Sequence, residues 1–262
     1  MKLKHAAMIT TGVVIVAGFA MISPLFLRPG EAGVGKRVML SFTVSESAGA
    51  VEWCRDLSLL LNRYNIGASV FIAGKVAEEY PEVVSCFGNR VDVGSQTYGN
   101  TDLTKIADYS LKLQEVKDGK TAVDDAGNLN TRIFRAPFGA TDQDIYSLLS
   151  RSGILADFSY DSQYNVYRDG QFLKYDALVY AASEHPPDFF LSLPETSEPV
   201  IVVFDNGYPV SDIEAVISSL KKAGREFINA SELTGLTLTT RSELVDHGAY
   251  SDPGREGGYA RP

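Results

Sequence analysis

Residues 68–84 read ASVFIAGKVAEEYPEVV, and this stretch decides the fold class. Its first five residues, 68–72, form a short, mostly apolar run that is typical of a buried strand. The spacing of the apolar residues that follow predicts a helix over residues 75–87. A strand followed at once by a helix is the repeating unit of a parallel sheet, because parallel strands need a crossover between them.

The same alternation extends in both directions along the chain. Strands are predicted at residues 37–43, 68–72, 90–94, 133–135, 154–158, 200–204 and 226–228. Helices are predicted at residues 47–64, 75–87, 106–125 and 142–151, and after Phe204. In that last helix Ser211 and Glu214 have capping-box spacing, and Gly224 is expected to end it. Residues 162–198 have no steady period, so no element is predicted there.

Length and charge limit the class of protein. A chain of 262 residues suits one α/β domain. A formal net charge of −9 argues against a nucleic-acid or anionic-membrane surface, since both need clustered cations. We therefore expect no nucleic-acid partner.

The N-terminal segment predicts a membrane anchor. Residues 6–27 contain no charged side chain, and a helix of that length reaches roughly 33 Å, enough to cross a bilayer core. We interpret residues 1–28 as a single-pass signal anchor and residues 29–36 as a linker, with the globular domain on the extracytoplasmic side. Residues 236–262 are rich in glycine, proline and polar residues, and we predict a disordered tail.

The chain has two cysteines, Cys54 and Cys86, each in a predicted helix. In an oxidising compartment they could form a disulfide, and a pair of small buried thiols is an equal alternative. Two cysteines are too few for a structural zinc site of the cysteine kind.

Several stretches, in this order, resemble the polysaccharide deacetylase family, which includes the chitooligosaccharide deacetylases. They are the opening stretch 68–84, GSQTYGNTDLT at 94–104, FRAPFG at 134–139 and GREFINASEL at 224–233. The resemblance covers about residues 37–235. It implies an irregular (β/α) barrel of about seven parallel strands, with its ligand site at the carboxyl ends of the strands.

The resemblance also implies a chemistry whose residues are absent here. Family members remove acetyl groups from amino sugars with a divalent metal, held by an aspartate and two histidines, and with an aspartate base and a histidine acid. The base position falls on Thr43, the metal positions on Val44, Gln96 and Asn100, and the acid position on Phe204. A threonine is no base near neutral pH, valine has no lone pair, and amides are weak ligands for zinc-like metals. We therefore expect no metal and no cofactor.

Other residues remain as site candidates. Arg135 is kept from the family motif and is interpreted either as a ligand-binding residue or as half of an ion pair with Asp161 or Asp205. Arg135, Asp161 and Asp205 are the candidate catalytic residues, and the two aspartates have the alternative interpretation of turn residues. The substrate-binding candidates are Gln96, Thr97, Tyr98, Asn100, Arg135 and Phe138.

Three functions are compatible with these residues. The first is a membrane-anchored pseudoenzyme that binds a glycan, such as an N-acetylated sugar polymer, or acts as a scaffold. The second is an active hydrolase, an N-acetyl sugar deacetylase, with a relocated site that is either metal-free or assembled from Asp157, Asp161 and Asp205. The third is a structural partner module in an envelope complex, with a vestigial groove.

Overall fold

The computed structural model describes residues 36–241. The strands are β1 (Arg37–Val44), β2 (Ala68–Ile72), β3 (Val91–Ser95), β4 (Leu129–Thr131), β5 (Ile133–Phe134), β6 (Ala156–Asp157), β7 (Gln163–Arg168), β8 (Gln171–Asp176), β9 (Leu178–Ala181), β10 (Val200–Asp205), β11 (Glu226–Ile228) and β12 (Thr239–Arg241). The helices are α1 (Ala50–Tyr64), α2 (Gly74–Glu79), α3 (Glu82–Ser85), α4 (Tyr109–Gly127), α5 (Ile145–Arg151), α6 (Val210–Lys222) and α7 (Ala230–Thr234).

One sheet organises the fold. Its order is β8-β7-β6-β5-β3-β2-β1-β10-β9, with β11 paired to β1. Every neighbouring pair from β6 through β1 to β9 is parallel, whereas β7 and β8 are antiparallel additions. The predicted α/β class with a parallel, barrel-like sheet is confirmed.

The sheet is nearly closed by the chain itself. Strand β8 lies at one edge and β9 at the other, yet only Ala177 separates them in sequence. The backbone N–H of Ala177 donates to the carbonyl oxygen of Ser162 at 3.0 Å, which ties this junction to the start of β7. The continuous segment β8–β9 therefore joins the two edges of the sheet.

Alternation along the strands divides the core into two layers. Met39 on β1 packs inside the barrel with Phe71, Phe158 and Ile201. The intervening residues of β1, Val38, Leu40, Phe42 and Val44, pack on the other face, in the layer between sheet and helices. Successive side chains of a strand point to opposite faces, so this pattern decides which strand-end residues reach the barrel interior.

Two predicted helix signals need correction. The predicted helix over residues 75–87 is broken at Pro81 into α2 and α3, since proline cannot donate a hydrogen bond within a helix. The predicted capping box at Ser211 and Glu214 is wrong, because α6 begins after Pro209 without a side-chain cap. The Glu214 carboxylate instead accepts a hydrogen bond from the Tyr64 hydroxyl at 2.8 Å.

The folded chain extends further than the sequence predicted. Leu238 is buried, and Thr239–Arg241 pairs antiparallel with β4, so the first residues of the predicted tail belong to the domain. The rest of that tail, the predicted anchor and nearly all of the linker lie outside the described residues. Among the helices of residues 36–241, none has the length and apolar character needed to cross a bilayer.

Cys54 and Cys86 are both free thiols. A hydrogen bond to Cys86 and burial together raise the pKa of Cys54 well above its ordinary value. The two thiols are therefore neighbours between α1 and the end of α3, and Cys54 is held in its uncharged form at neutral pH.

Candidate functional site

A cavity of about 480 Å³ opens at the carboxyl ends of the parallel strands. Its volume lies within the range of small-molecule sites. Several of the residues singled out from the sequence line it: Thr43, Gln96, Asn100, Arg135, Phe138, Asp161 and Asp205. In parallel α/β folds this edge of the sheet is where ligands bind. The cavity is therefore the candidate site.

Arg135 contributes a buried guanidinium to the lining of the cavity. It follows β5 and is 8% exposed. Its Nε donates to the Phe158 carbonyl oxygen at 2.9 Å, its Nη1 lies 3.5 Å from Thr43 Oγ1, and the guanidinium stacks on the Phe71 ring at 4.7 Å. It thus separates the apolar barrel interior from the cavity.

The ion-pair interpretation of Arg135 is wrong for this structure. Among the described residues, no carboxylate oxygen lies within 4.0 Å of its guanidinium nitrogens, so neither Asp161 nor Asp205 pairs with it. Burial lowers the pKa of Arg135 to about 10, against the opposing pull of Asp157, Asp205 and Asp161. The guanidinium is therefore still charged at neutral pH.

Gln96 has an unpaired acceptor. It continues β3, where its backbone N–H donates to the Ile72 carbonyl oxygen at 2.9 Å. The residue is 2% exposed and lines the cavity, and Oε1 has no hydrogen-bond partner among the described residues. A buried acceptor without a donor is costly, so Gln96 is poised to accept a hydrogen bond from a ligand.

Helix α4 holds the loop that carries Gln96. The Tyr98 backbone N–H donates to the Glu115 carbonyl oxygen at 2.9 Å, and the Gly99 N–H donates to the Glu115 carboxylate at 3.0 Å. One turn later, Gly119 lies so close that a Cβ there would be 2.3 Å from the Gln96 carbonyl oxygen. The helix and the site loop are therefore in direct backbone contact.

Carboxylates surround the mouth of the cavity. Glu46, Asp161 and Asp205 line it, and all are exposed. Asp205 is the register partner of Thr43 across β1 and β10. The Asn206 side-chain amide donates to the Glu46 carbonyl oxygen at 3.0 Å, which joins the loops after β10 and β1. The predicted turn at Asp205 is also present, since Tyr208 N–H donates to its carbonyl oxygen.

Phe138 is an exposed aromatic residue at the same cavity. Its side chain is 78% exposed, and its φ of 60° lies in the left-handed region that phenylalanine rarely adopts. The neighbouring backbone is held on both sides, because the Ala136 N–H donates to Ser159 Oγ and the Gly139 N–H to the Ala136 carbonyl oxygen. Strain of this kind is concentrated at functional sites.

Other predicted positions do not reach the cavity. Val44 and Phe204 are buried in the layer between sheet and helices, where Phe204 stacks on Phe42 at 5.0 Å. Strand β1 continues through Val44, so adjacent residues 43 and 44 face opposite sides. For the same reason Asp205, and not Phe204, lies at the cavity.

Two of the substrate-binding candidates also lie elsewhere. Thr97 is buried, and its hydroxyl accepts from the Thr101 N–H at 2.7 Å. The Tyr98 hydroxyl donates to the Glu78 carboxylate on α2. Both side chains shape the loop rather than line the cavity. The sequence did not single out Glu46, although its position just after a strand end was a signal for it.

The residues at the family's metal positions do not fit a metal. Gln96 and Asn100 offer two neutral amides and Val44 faces away, while Thr43, at the base position, adds only a hydroxyl. Within residues 36–241, no group of three or more histidine, cysteine, aspartate or glutamate side chains is arranged to hold a metal ion. No catalytic step through a metal follows from these residues.

Asp157 is buried beneath the site and does not line it. One carboxylate oxygen, Oδ1, accepts from the Ser159 N–H at 3.1 Å and from the Ser159 hydroxyl, and Oδ2 has no partner among the described residues. Burial raises the pKa of Asp157 to about 6, although hydrogen bonds from Ser159 and the charge of Arg135 oppose this. A relocated site that needs Asp157, Asp161 and Asp205 together is not assembled.

The raised pKa of Asp157 predicts a pH-dependent stability. Its value of about 6 in the folded protein exceeds the ordinary 3.8, so the folded state binds more protons between those values and stability falls as pH rises through this window. Asp157→Asn keeps an acceptor for Ser159 and cannot ionise. Urea unfolding at pH 4, 5, 6 and 7 should show the variant gaining stability over the parent up to about pH 6. A constant difference would contradict the assignment.

The fold and the cavity define the class of protein, an α/β barrel with a polar pocket at the carboxyl ends of its strands. The comparisons show which proteins the chain resembles. The family model described as polysaccharide deacetylase matches residues 31–156, just under half of the chain. Over those residues the resemblance to this family seen in the sequence is confirmed. No curated protein matches the sequence.

Solved structures with a similar fold include a pseudoenzyme and a deacetylase. BA3943 from Bacillus anthracis, described as a CE4 family pseudoenzyme, matches with a TM-score of 0.59 and 16% identity over 76% of this chain and 65% of that one. Our chain thus spans just under two thirds of that protein. A BA3943 mutant is described as having restored enzymatic activity.

The Bc1960 peptidoglycan N-acetylglucosamine deacetylase matches with a TM-score of 0.59 and 15% identity over 78% of this chain and 90% of that one. The family 4 carbohydrate esterase from Streptomyces lividans matches with a TM-score of 0.57 and 17% identity, covering 76% and 95%. At these identities the likeness establishes the fold alone.

Proposed function

We propose that this protein is a glycan-binding pseudoenzyme of the deacetylase fold, without metal-dependent hydrolysis. One observation carries the proposal: the cavity is kept, while the side chains that line it at the former metal and base positions are neutral. Thr43, Gln96 and Asn100 are hydrogen-bonding groups suited to sugar hydroxyls and amides. They cannot activate water as a metal-bound aspartate–histidine site does.

The aromatic residue at the cavity supports a sugar ligand. Phe138 presents an exposed ring beside polar groups, an arrangement that suits the apolar face and hydroxylated edge of a pyranose. Arg135 has no carboxylate partner within residues 36–241, and it provides donors for a ligand oxygen. Structural neighbours of this fold include a peptidoglycan N-acetylglucosamine deacetylase and a pseudoenzyme, which makes an amino-sugar polymer the expected ligand class.

Binding to N-acetylglucosamine oligomers tests the proposal directly. We expect saturable binding by calorimetry, weakened roughly ten-fold by Phe138→Asn, because the aromatic contact is lost. Asparagine tolerates a positive φ, so the loop geometry should survive. The matched control is Leu59→Asn, an exposed apolar residue on α1 that does not line the cavity. Absence of binding, or equal weakening by both changes, would contradict the proposal.

The location of the protein is part of the proposal. An anchor at residues 1–28 would hold the domain at the extracytoplasmic face of a membrane, where envelope glycans are found. Carbonate extraction of membranes, compared between the full chain and one that starts at residue 29, tests the anchor. Equal release of both proteins would contradict it.

A relocated hydrolase is the alternative. Asp161 and Asp205 both line the cavity, and this is the one observation in its favour. Release of acetate that disappears in Asp205→Asn would support this alternative over the pseudoenzyme.

A further inference from the structure

The charges that line the cavity are unbalanced. Glu46, Asp161 and Asp205 contribute three carboxylates, and Arg135 is the one cation among the described lining residues. Arg135 lies deep, with Nε on the Phe158 carbonyl oxygen and Nη1 near the Thr43 hydroxyl. The carboxylates are exposed at the mouth. The lining therefore carries an excess of negative charge where a ligand enters.

A second, independent feature points to a ligand that donates hydrogen bonds. Gln96 Oε1 is an unpartnered acceptor, and its side chain is almost fully buried in the cavity wall. A bound group with N–H donors would satisfy this oxygen and also approach the carboxylates. An acetamide offers a single N–H, whereas an ammonium offers three donors and a positive charge.

We propose that the cavity prefers an amino sugar whose amine is free and protonated, the product of N-deacetylation, over the N-acetylated sugar. This inference rests on the proposed glycan-binding function and specifies its ligand. The ammonium group would lie among Asp161, Asp205 and Gln96, with the sugar ring against Phe138. The net charge of −9 would also attract a polycationic glycan.

The test compares two oligomers of equal length, one of glucosamine and one of N-acetylglucosamine, by calorimetry at low and high salt. We expect the glucosamine oligomer to bind roughly ten-fold more tightly at low salt, and this preference to shrink at high salt as the charges are screened. Asp205→Asn should reduce the preference several-fold, because it removes one of the carboxylates that would face the ammonium group.

The matched control is Glu226→Gln, which removes the same charge at the opposite end of the barrel. Glu226 is exposed and lies at the start of β11, where it is the strand-register neighbour of Arg37 at the start of β1. This end of the sheet is away from the carboxyl ends that form the cavity. Glu226→Gln should leave the preference for the glucosamine oligomer unchanged. If both variants lost this preference equally, the preference would come from the net charge of the protein and the inference would be overturned.

The remaining outcomes are separable. Equal or tighter binding of the N-acetylated oligomer would overturn the inference and leave the proposed function standing. Binding of neither oligomer would overturn both.

Discussion

Replacing Val44 with aspartate is expected to lower the free energy of unfolding by about 3–5 kcal/mol, the cost of an uncompensated buried charge. The resemblance to polysaccharide deacetylases places the metal-binding aspartate at this position, yet here the side chain is fully buried in the apolar layer with Ala50 and Ile72. Its backbone is held there as well, because the Val44 carbonyl oxygen accepts from the Ala73 N–H at 2.9 Å. Urea unfolding at pH 7 provides the measurement.

Val44→Ala is the matched control for that experiment. This substitution also removes methyl groups from the same layer but introduces no charge. It should therefore lower the free energy of unfolding clearly less than Val44→Asp does. If Val44→Asp proved as stable as Val44→Ala, the side chain would have to reach solvent or the cavity, and the placement of Val44 behind the sheet would be wrong.

Replacing Gly119 with alanine is expected to lower the free energy of unfolding by about 3 kcal/mol, although alanine normally has the higher helix propensity of the two residues. The new Cβ would meet backbone on the site loop, at 2.3 Å from the Gln96 carbonyl oxygen and 2.9 Å from the Tyr98 nitrogen. Backbone atoms in a bonded loop cannot move aside as a flexible side chain can. The loop must shift, so glycan binding should weaken together with stability.

Gly88→Ala provides the comparison for the Gly119 variant. A Cβ at Gly88 would meet no atom within 4 Å, and we expect its effect on unfolding to be small. Two results would contradict the proposed contact between α4 and the site loop: a neutral or stabilising Gly119→Ala, or a destabilised variant with unchanged glycan affinity.

The strand–helix alternation was predictable because buried strands and amphipathic helices leave strong local patterns. The strand predicted at residues 68–72 matches β2 at both ends. No element was predicted for residues 162–198, yet this region contains β7, β8 and β9. The local sequence pattern does not indicate these strands. Their aromatic residues pack through distant contacts, as in the stacking of Tyr164 between Phe158 and Tyr175, so their periodicity is set by tertiary neighbours.

The sequence predicted which segments form the site better than it predicted which side chains point into it. Family motifs located the loops, and residues 96, 100, 135 and 138 do line one cavity. Alternation along β1 and β10 was available in the sequence and would have turned Val44 and Phe204 away from it. That Arg135 has no ion partner in the part of the chain that the structure describes could not be anticipated, because it depends on how the guanidinium stacks on Phe71 and donates to the Phe158 carbonyl oxygen.

Acetate release in the presence of a bound glycan is the most direct test. The protein is incubated with N-acetylglucosamine oligomers and added Zn²⁺ at a concentration where calorimetry shows the oligomer bound, and free acetate is measured over time. We predict acetate no higher than in the protein-free sample. Sustained metal-dependent release by the unaltered protein would contradict the proposal that this pocket binds a glycan without cleaving it.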